Sequence, residues 1–306
     1  MRGRHSIINF DEVGSLEVCS NPPRIAVVGD IMLDVDLYCS CPRICQEGPW
    51  PIFLLEREER RLGGAGNVAM MLERLGARTI LVGLVGRNDF LDLPRVGDVA
   101  GWQVAAGQTT TKTRFWINDK LTGPRIDQDL STTCGDDLTT RFLDTLAQFA
   151  PQAIIVADHG KGVVTTELMR HLGQLELPVF VDPVLSTPLP LAPVVVAGGR
   201  HELGPDANRA ECLIEKRGPQ GLKWVTAESS GELASTCRNL VDPLGAGDQF
   251  IATLACLRTL GHDWLTAIEW ANLAAGMQCE RAGCLPVTLS ELRDRIGEAF
   301  ERRQAG

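Results

Sequence analysis

The sequence predicts an α/β fold with a mostly parallel central sheet, and three observations point there. Short continuous apolar runs recur along the chain, helix-period segments lie between them, and several of the runs end in Asp. Runs that are apolar throughout, rather than alternating, suit strands covered on both faces, as in a parallel sheet between helices. The first is Arg24 to Val28, followed by Gly29-Asp30; Thr79 to Val85 is the second. Ala153 to Ala157 ends at Asp158, and Pro178 to Val181 ends at Asp182. In open sheets of this kind the carboxyl ends of the strands form the ligand crevice. Any single Asp there reads equally well as a turn or cap residue.

Helices occupy the intervals. Ala65 to Leu75 carries Val68, Ala69, Met71, Leu72 and Leu75 on one side and stops at Gly76, a C-terminal glycine signal. Gln249 to Leu260 is apolar almost all round and stops at Gly261, as in a helix buried on every side. Leu265 to Arg281 is rich in Ala, and Thr288 with Glu291 forms a capping-box pattern ahead of Leu292, Ile296 and Phe300. Two stretches, near 35–61 and 109–127, are polar and β-leaning. They interrupt the rhythm as excursions from the core sheet, in the manner of a lid. Residues 1–23 read as an extension, 24–300 as the folded domain and 301–306 as a tail.

Composition narrows the function. The 306 residues are 44% hydrophobic and 23% charged, with a formal net charge of −9. An acidic balance argues against a nucleic-acid partner, which requires a basic face. No apolar run has the roughly 18 residues of a membrane span, and the first 23 residues lack the apolar core of an export signal. A cytoplasmic protein with reduced cysteines is expected. Cys39, Cys41 and Cys45 cluster, but without the paired two-residue spacing of common zinc sites.

The strongest chemical motif is Asp242-Pro243-Leu244-Gly245-Ala246-Gly247-Asp248, directly before an apolar helix. Small residues at a helix start let an anion approach N–H groups that have no intrahelical acceptor, and the helix dipole adds positive potential. Asp248 in the first turn could take a proton from an attacking hydroxyl, while the N–H groups stabilise charge on a transferring group. Taken alone, the motif is equally a glycine-rich turn with a capping Asp. A second glycine-rich run, Gly63-Gly64-Ala65-Gly66-Asn67-Val68-Ala69, fits the dinucleotide fingerprint in spacing, but charged residues 56–61 precede it where a buried strand is required.

Together, in this order, the two runs resemble the paired signatures of the ribokinase-like (PfkB) carbohydrate kinases. The likeness extends from about Arg24 to about Leu292, with Gly29-Asp30-Ile31-Met32-Leu33-Asp34 resembling the family's first strand and sugar-binding acid. Within the family, Pro42 to Pro51, Thr110-Thr111-Lys112-Thr113-Arg114, Arg125-Ile126-Asp127 and Asp158-His159-Gly160-Lys161-Gly162 are similar to segments of heptose 7-phosphate kinases. The resemblance implies a three-layer α/β/α fold with a small β lid, and ATP-dependent phosphoryl transfer to a sugar or sugar phosphate. It implies a sugar site of Asp34, Gly63, Gly64 and Asn67, with Asp248 as base. Lys112, Arg114, Asp158 and Lys161 would hold sugar and phosphate. Gly245, Ala246 and Gly247 would form the anion hole, Asp242 and Asn272 the nucleotide side, with Mg2+ on the ATP phosphates and Glu211 as a metal ligand. A homodimer through the lid is implied as well. Pro243, Val184 and the short 185–211 stretch depart from the family pattern. Glu202, Asp206, Asn208 and Glu211 replace its magnesium-organising motif at altered spacing. A binder of sugar phosphate or nucleotide without turnover, or a kinase for another sugar, are the alternative readings.

Overall fold

The computed structural model describes residues 21–86, 101–105, 108–118, 120–121, 125–129, 133–184, 187–189, 194–199, 201–203, 207 and 209–304. The main sheet is built from β1 (Arg24–Gly29), β4 (Arg78–Gly86), β5 (Gly101–Ala105), β9 (Ala153–Ala157), β10 (Val179–Asp182), β11 (Val194–Gly199), β12 (Cys212–Lys216), β13 (Leu222–Thr226) and β14 (Ser230–Leu233). Its order is β14-β13-β12-β11-β10-β9-β1-β4-β5. Every pairing from β5 to β12 is parallel, and the β12–β13 and β13–β14 pairs are antiparallel.

The continuous apolar runs are buried on both faces because alternate residues of one strand feed two separate cores. Ile25 and Val27 of β1 pack with α1 (Ala65–Arg74), α4 (Ala246–Thr259), α5 (Trp264–Cys279) and α6 (Leu289–Gln304). Ala26 and Val28 pack on the other side with Phe142 and Leu146 of α2 (Asp136–Phe149) and Leu168, Met169 and Leu172 of α3 (Thr166–Gly173). The result is a helix–sheet–helix sandwich. Each fully buried Leu, Ile or Phe contributes about 1.5–3 kcal/mol of transfer free energy. The capping box forms: Thr288 N–H donates to Glu291 Oε2 at 2.8 Å, and Glu291 N–H to Thr288 Oγ1 at 3.3 Å.

The two polar excursions form a second sheet of order β3-β2-β6-β7, with β8 also on β6. Its strands are β2 (Ile31–Ile44), β3 (Pro51–Gly64), β6 (Thr110–Ile117), β7 (Lys120–Leu121) and β8 (Ile126–Gln128). The hairpin is longer than the sequence indicates, since β2 begins one residue after β1 ends. Asp30 alone separates them: its N–H donates to Ala157 O and its carbonyl accepts from Ala65 N–H. Gly29 permits the crossing, because a Cβ there would lie 2.1 Å from Ala157 O.

Some boundaries differ from expectation. Helix α4 starts at Ala246, not Gln249, because Gly245 at φ 78° supplies its first cap. Helix α6 runs on to Gln304, so residues 301–304 continue the helix. Residues 1–20 of the expected extension lie outside the described residues. The parallel β10–β11 and β11–β12 connections contain no α-helix among the described residues, in keeping with the short 185–211 stretch.

Candidate active site

The site lies at the carboxyl edge of the main sheet, where the N-termini of α1 and α4 meet beneath the second sheet. Asn67 in the first turn of α1 donates from Nδ2 to Asp248 Oδ2 of α4 at 2.6 Å, joining residues 181 apart in sequence. Two helix N-termini converging on one point focus positive potential there. Burial raises the Asp248 carboxyl above its ordinary range and Asp182 adds to this, whereas His159, Asn67 and Lys216 pull it down. A carboxylate so placed is a stronger proton acceptor than a solvated one.

The glycines serve close approach. A Cβ on Gly63 would lie 2.7 Å from Asp34 Oδ2, and one on Gly64, at φ 56°, would lie 2.3 Å from Asp30 O. In the anion loop, Ala246 N–H closes a turn on Pro243 O at 3.3 Å. Ala246, expected to help form the anion hole, thus shares its N–H with this turn. The first-turn N–H groups of Gly247 and Asp248 remain without intrahelical acceptors.

Strand periodicity puts Asp34 and Asp36 of β2, Arg61 of β3, and Lys112, Arg114 and Trp116 of β6 on one face of the second sheet. The register pairs Asp34 with Arg61 and Lys112, and Asp36 with Arg114. Arg114 donates to Asp34 Oδ1 at 2.8 Å, Trp116 Nε1 donates to Asp36 Oδ1 at 2.8 Å, and Arg61 pairs with Asp36. Several buried polar atoms near this cleft have no partner: Arg61 Nε and Nη2, Asn67 Oδ1 and His159 Nε2. Unsatisfied buried groups are uncommon in native folds, and these are the groups a polyhydroxylated ligand would satisfy.

Other expected site residues are engaged elsewhere. Lys161 Nζ is held by Asp129 at 2.8 Å. Asp158 accepts from Gly160 N–H and Thr187 Oγ1. The two oxygens of Asp242 accept from Leu244 N–H and Gly283 N–H, so Asp242 fixes the loop instead of lining the cavity. The metal assignment to Glu211 is corrected: Glu211 precedes β12, at the opposite end of the sheet, beside Gln152, Pro178 and Arg258. Glu202, after β11, lies at the site end, accepting from Gly199 N–H at 2.5 Å. Asp206 and Asn208 lie outside the described residues. Among the described residues no group of three or more His, Cys, Asp or Glu could hold a metal ion.

Three contributors lie outside the site residues expected from the sequence. Buried Asp30 accepts N–H bonds from His159, Lys161 and Val163, and so shapes the loop that carries His159. The Cys284 thiol accepts from Asn67 Nδ2 at 3.0 Å, and burial, with Asp248 adding, pushes it up to about 12. Lys216 ends β12 beside Asp182.

On the other side of the anion loop is a cavity of about 590 Å³, lined by Leu222, Pro243, Phe250, Asn272, Ala275 and Cys279 among others. That is the size and apolar character of a small-molecule pocket. Asn272 is at its wall, its amide donating to Ala234 O at 2.8 Å.

A cleft with a buried carboxylate and two helix N-termini thus adjoins an apolar cavity on a three-layer α/β/α fold. Residues 201–290 match the pfkB family carbohydrate kinase model. The chain is 31% identical over 300 residues to the D-beta-D-heptose 7-phosphate kinase of Bordetella bronchiseptica, covering 88% of this chain and 95% of that protein. It is 32% identical over 328 residues to the bifunctional protein HldE of Nitrobacter winogradskyi, covering 95% of this chain but 66% of that protein. Solved structures with the same fold include phosphofructokinase-2 from Escherichia coli, at TM-score 0.67 and 14% identity over 90% of this chain and 98% of that one. Arabidopsis thaliana ribokinase, solved with ribose and ATP, aligns at TM-score 0.65 and 14% identity over 89% and 98%. The chain belongs to the pfkB family of carbohydrate kinases. Among the described residues no helix is long and apolar enough to cross a membrane.

Proposed function

We propose that the protein transfers the terminal phosphoryl group of ATP to a hydroxyl of a sugar phosphate, with a heptose 7-phosphate as the acceptor. The observation that carries this reading is the Asn67–Asp248 pair at 2.6 Å, set between the charged face of the second sheet and the apolar cavity. In this reading Asp34, Asn67 and the open atoms of Arg61 and His159 orient the sugar. Asp248 takes the hydroxyl proton, and the first-turn N–H groups of α4 hold the phosphoryl oxygens. The adenine lies in the cavity near Asn272. Mg2+ fits as a partner of the nucleotide, since it is commonly held by substrate phosphates and a few carboxylates with water completing the shell; Glu202 is the carboxylate at hand, Asp182 being held by Lys216. It would neutralise phosphate charge when bound. The cytoplasm, where ATP and sugar phosphates occur, is the compartment of this activity.

The test is ADP release with Mg2+ and ATP against a panel of free and phosphorylated sugars that includes heptose 7-phosphate. Acceptor-dependent release carries the proposal. ATP binding without release for any acceptor overturns it in favour of a binder without turnover, the reading that Pro243 and the short 185–211 stretch support.

Lys112 is half-buried on the cleft face, between Asp34 and Asp127 in register, and an ammonium there suits an acceptor phosphate. Replacing Lys112 by Ala raises KM for phosphorylated acceptors about tenfold or more, the loss of one charged hydrogen bond, and barely alters KM for free sugars. Equal effects on the two would remove its phosphate role.

The far end of the second sheet exposes Ile44 (66%), Trp50 (63%), Leu54 (45%) and Leu55 (56%). Exposed apolar side chains concentrated at one end of a sheet favour an interface, so two copies pair through the second sheet. Sedimentation then gives a dimer that Trp50→Glu with Leu55→Glu converts to monomer; a monomeric parent protein disproves the pairing.

A further inference from the structure

Lys216 is the last residue of β12, and its ammonium donates to Asp182 Oδ1 of β10 at 2.7 Å. Burial by itself disfavours an ammonium, but Asp182, aided by Glu202 and Asp248, holds it above its ordinary range.

Two features set this lysine apart from a simple ion pair that ties two strands. The side chain rests on the anion loop: a Cβ on Gly247 would lie 3.1 Å from Lys216 Nζ and 3.8 Å from Asp182 Oδ2. It also lines both the 590 Å³ cavity and the adjoining cleft of Glu215, Arg217 and Gln220. The ammonium thus stands where the cavity opens onto the first turn of α4. Arg217, the neighbouring cation on that rim, is committed to Glu215 and Glu232. A polyphosphate running from the cavity to Asp248 must pass Lys216, in surroundings made acidic by Asp182, Glu202 and Asp248.

We propose that Lys216 is the cation that binds the terminal phosphates of the nucleotide at the N-terminus of α4 and stabilises the charge that develops there during transfer. This rests on the kinase reading of the site. As the acceptor oxygen bonds to the γ-phosphorus, the bond from that phosphorus to the β-bridging oxygen breaks. The electron pair stays on the β-phosphate oxygen, and the acceptor proton goes to Asp248. Lys216 faces the oxygens that gain charge, and a preorganised cation there acts on the transition state more than on the bound substrate. Asp182 is its positioning residue.

The experiment is calorimetric binding of adenosine, AMP, ADP and the non-hydrolysable analogue AMP-PNP, with Mg2+, to the parent protein, K216M, K216R and the double variant K216M/D182N. The double variant removes the carboxylate that K216M strands. The expected result is adenosine and AMP affinity within about twofold of the parent in every variant. AMP-PNP affinity falls about tenfold or more in both methionine variants, equivalent to about 1.4 kcal/mol, and less in K216R. Equal loss across the four ligands, or no loss in the double variant, overturns the proposal and leaves Lys216 a strand tie. A parent protein that binds none of the four overturns the kinase reading and this inference with it. Binding by the parent with a flat profile across the variants defeats the inference alone.

Discussion

Asp248→Asn lowers turnover by about 10²-fold or more while the fold and acceptor binding persist. The amide has the shape of the carboxylate, and its oxygen can still accept the Asn67 Nδ2 bond that Asp248 Oδ2 accepts at 2.6 Å. It cannot take a proton. The same substitution raises the melting temperature at neutral pH, because burial disfavours the charged carboxyl and lifts its pKa. For an acid whose folded value lies above its unfolded value, the native state binds the proton more tightly. Its contribution to stability is greatest at low pH and declines as pH rises past the unfolded value through the folded one. The gap in melting temperature between variant and parent therefore opens with rising pH across that window and closes at acid pH. Turnover of the parent moves oppositely, falling as pH drops through the raised value and the base becomes protonated. Melting curves and kcat profiles measured across pH about 4 to 8 check both directions. Near-normal turnover in the variant removes Asp248 as the base.

The parts of this molecule that could be read from sequence are those whose signal is local. β1, β4, β9 and β10 are continuous apolar runs because both of their faces are covered, and a doubly buried strand has no polar alternation to blur it. Gly245 to Asp248 was legible as a helix start because small residues ahead of an apolar run mark one, and Gly245 does stand at the cap of α4 with φ at 78°. What the sequence concealed depends on tertiary distance. Glu211 and Glu202 are nine positions apart and similar on paper, yet the strand direction of β11 and β12 sends them to opposite ends of the sheet. Lys216 sits in the polar run Glu215-Lys216-Arg217 at the end of β12 and is not singled out by the sequence. Only the pairing order β12-β11-β10 shows that Asp182 lies within reach. Likewise Asp30 could be read as a ligand-crevice acid, but its carboxylate is consumed by the backbone of residues 159–163. The second sheet was legible as an excursion but not in its charge pairing. Asp34, Asp36, Arg61 and Arg114 neutralise one another across three strands whose register no local pattern specifies.

Gly245→Ala destabilises the protein by about 2–5 kcal/mol and removes most of its turnover, through two separable effects. Gly245 caps α4 with φ at 78°, a conformation that costs an L-residue about 1–2 kcal/mol. The added Cβ would also lie 2.0 Å from Cys284 Sγ and 3.2 Å from Asn67 Nδ2 and Met71 Cε, and overpacking of this kind costs about 1–3 kcal/mol more. Relief of that contact must shift Cys284, Asn67 or the cap itself. Each of these bears on Asp248, since Asn67 Nδ2 bonds to both the Cys284 sulfur and the Asp248 carboxylate. Chemical denaturation of the single variants and of the pair Gly245→Ala/Cys284→Ala separates the contributions. With the sulfur gone, the steric share of the loss is recovered and the backbone share remains, so the Gly245 substitution is less damaging in the Cys284→Ala background than in the parent. An unchanged loss in that background shows that the thiol is not what the new methyl meets, and it shifts the whole effect onto the left-handed cap. Where the loss is relieved, turnover recovers only in part, because in the proposed mechanism the first turn of α4 carries both the phosphoryl-binding N–H groups and the base, and its direction is set by the conformation of this one residue.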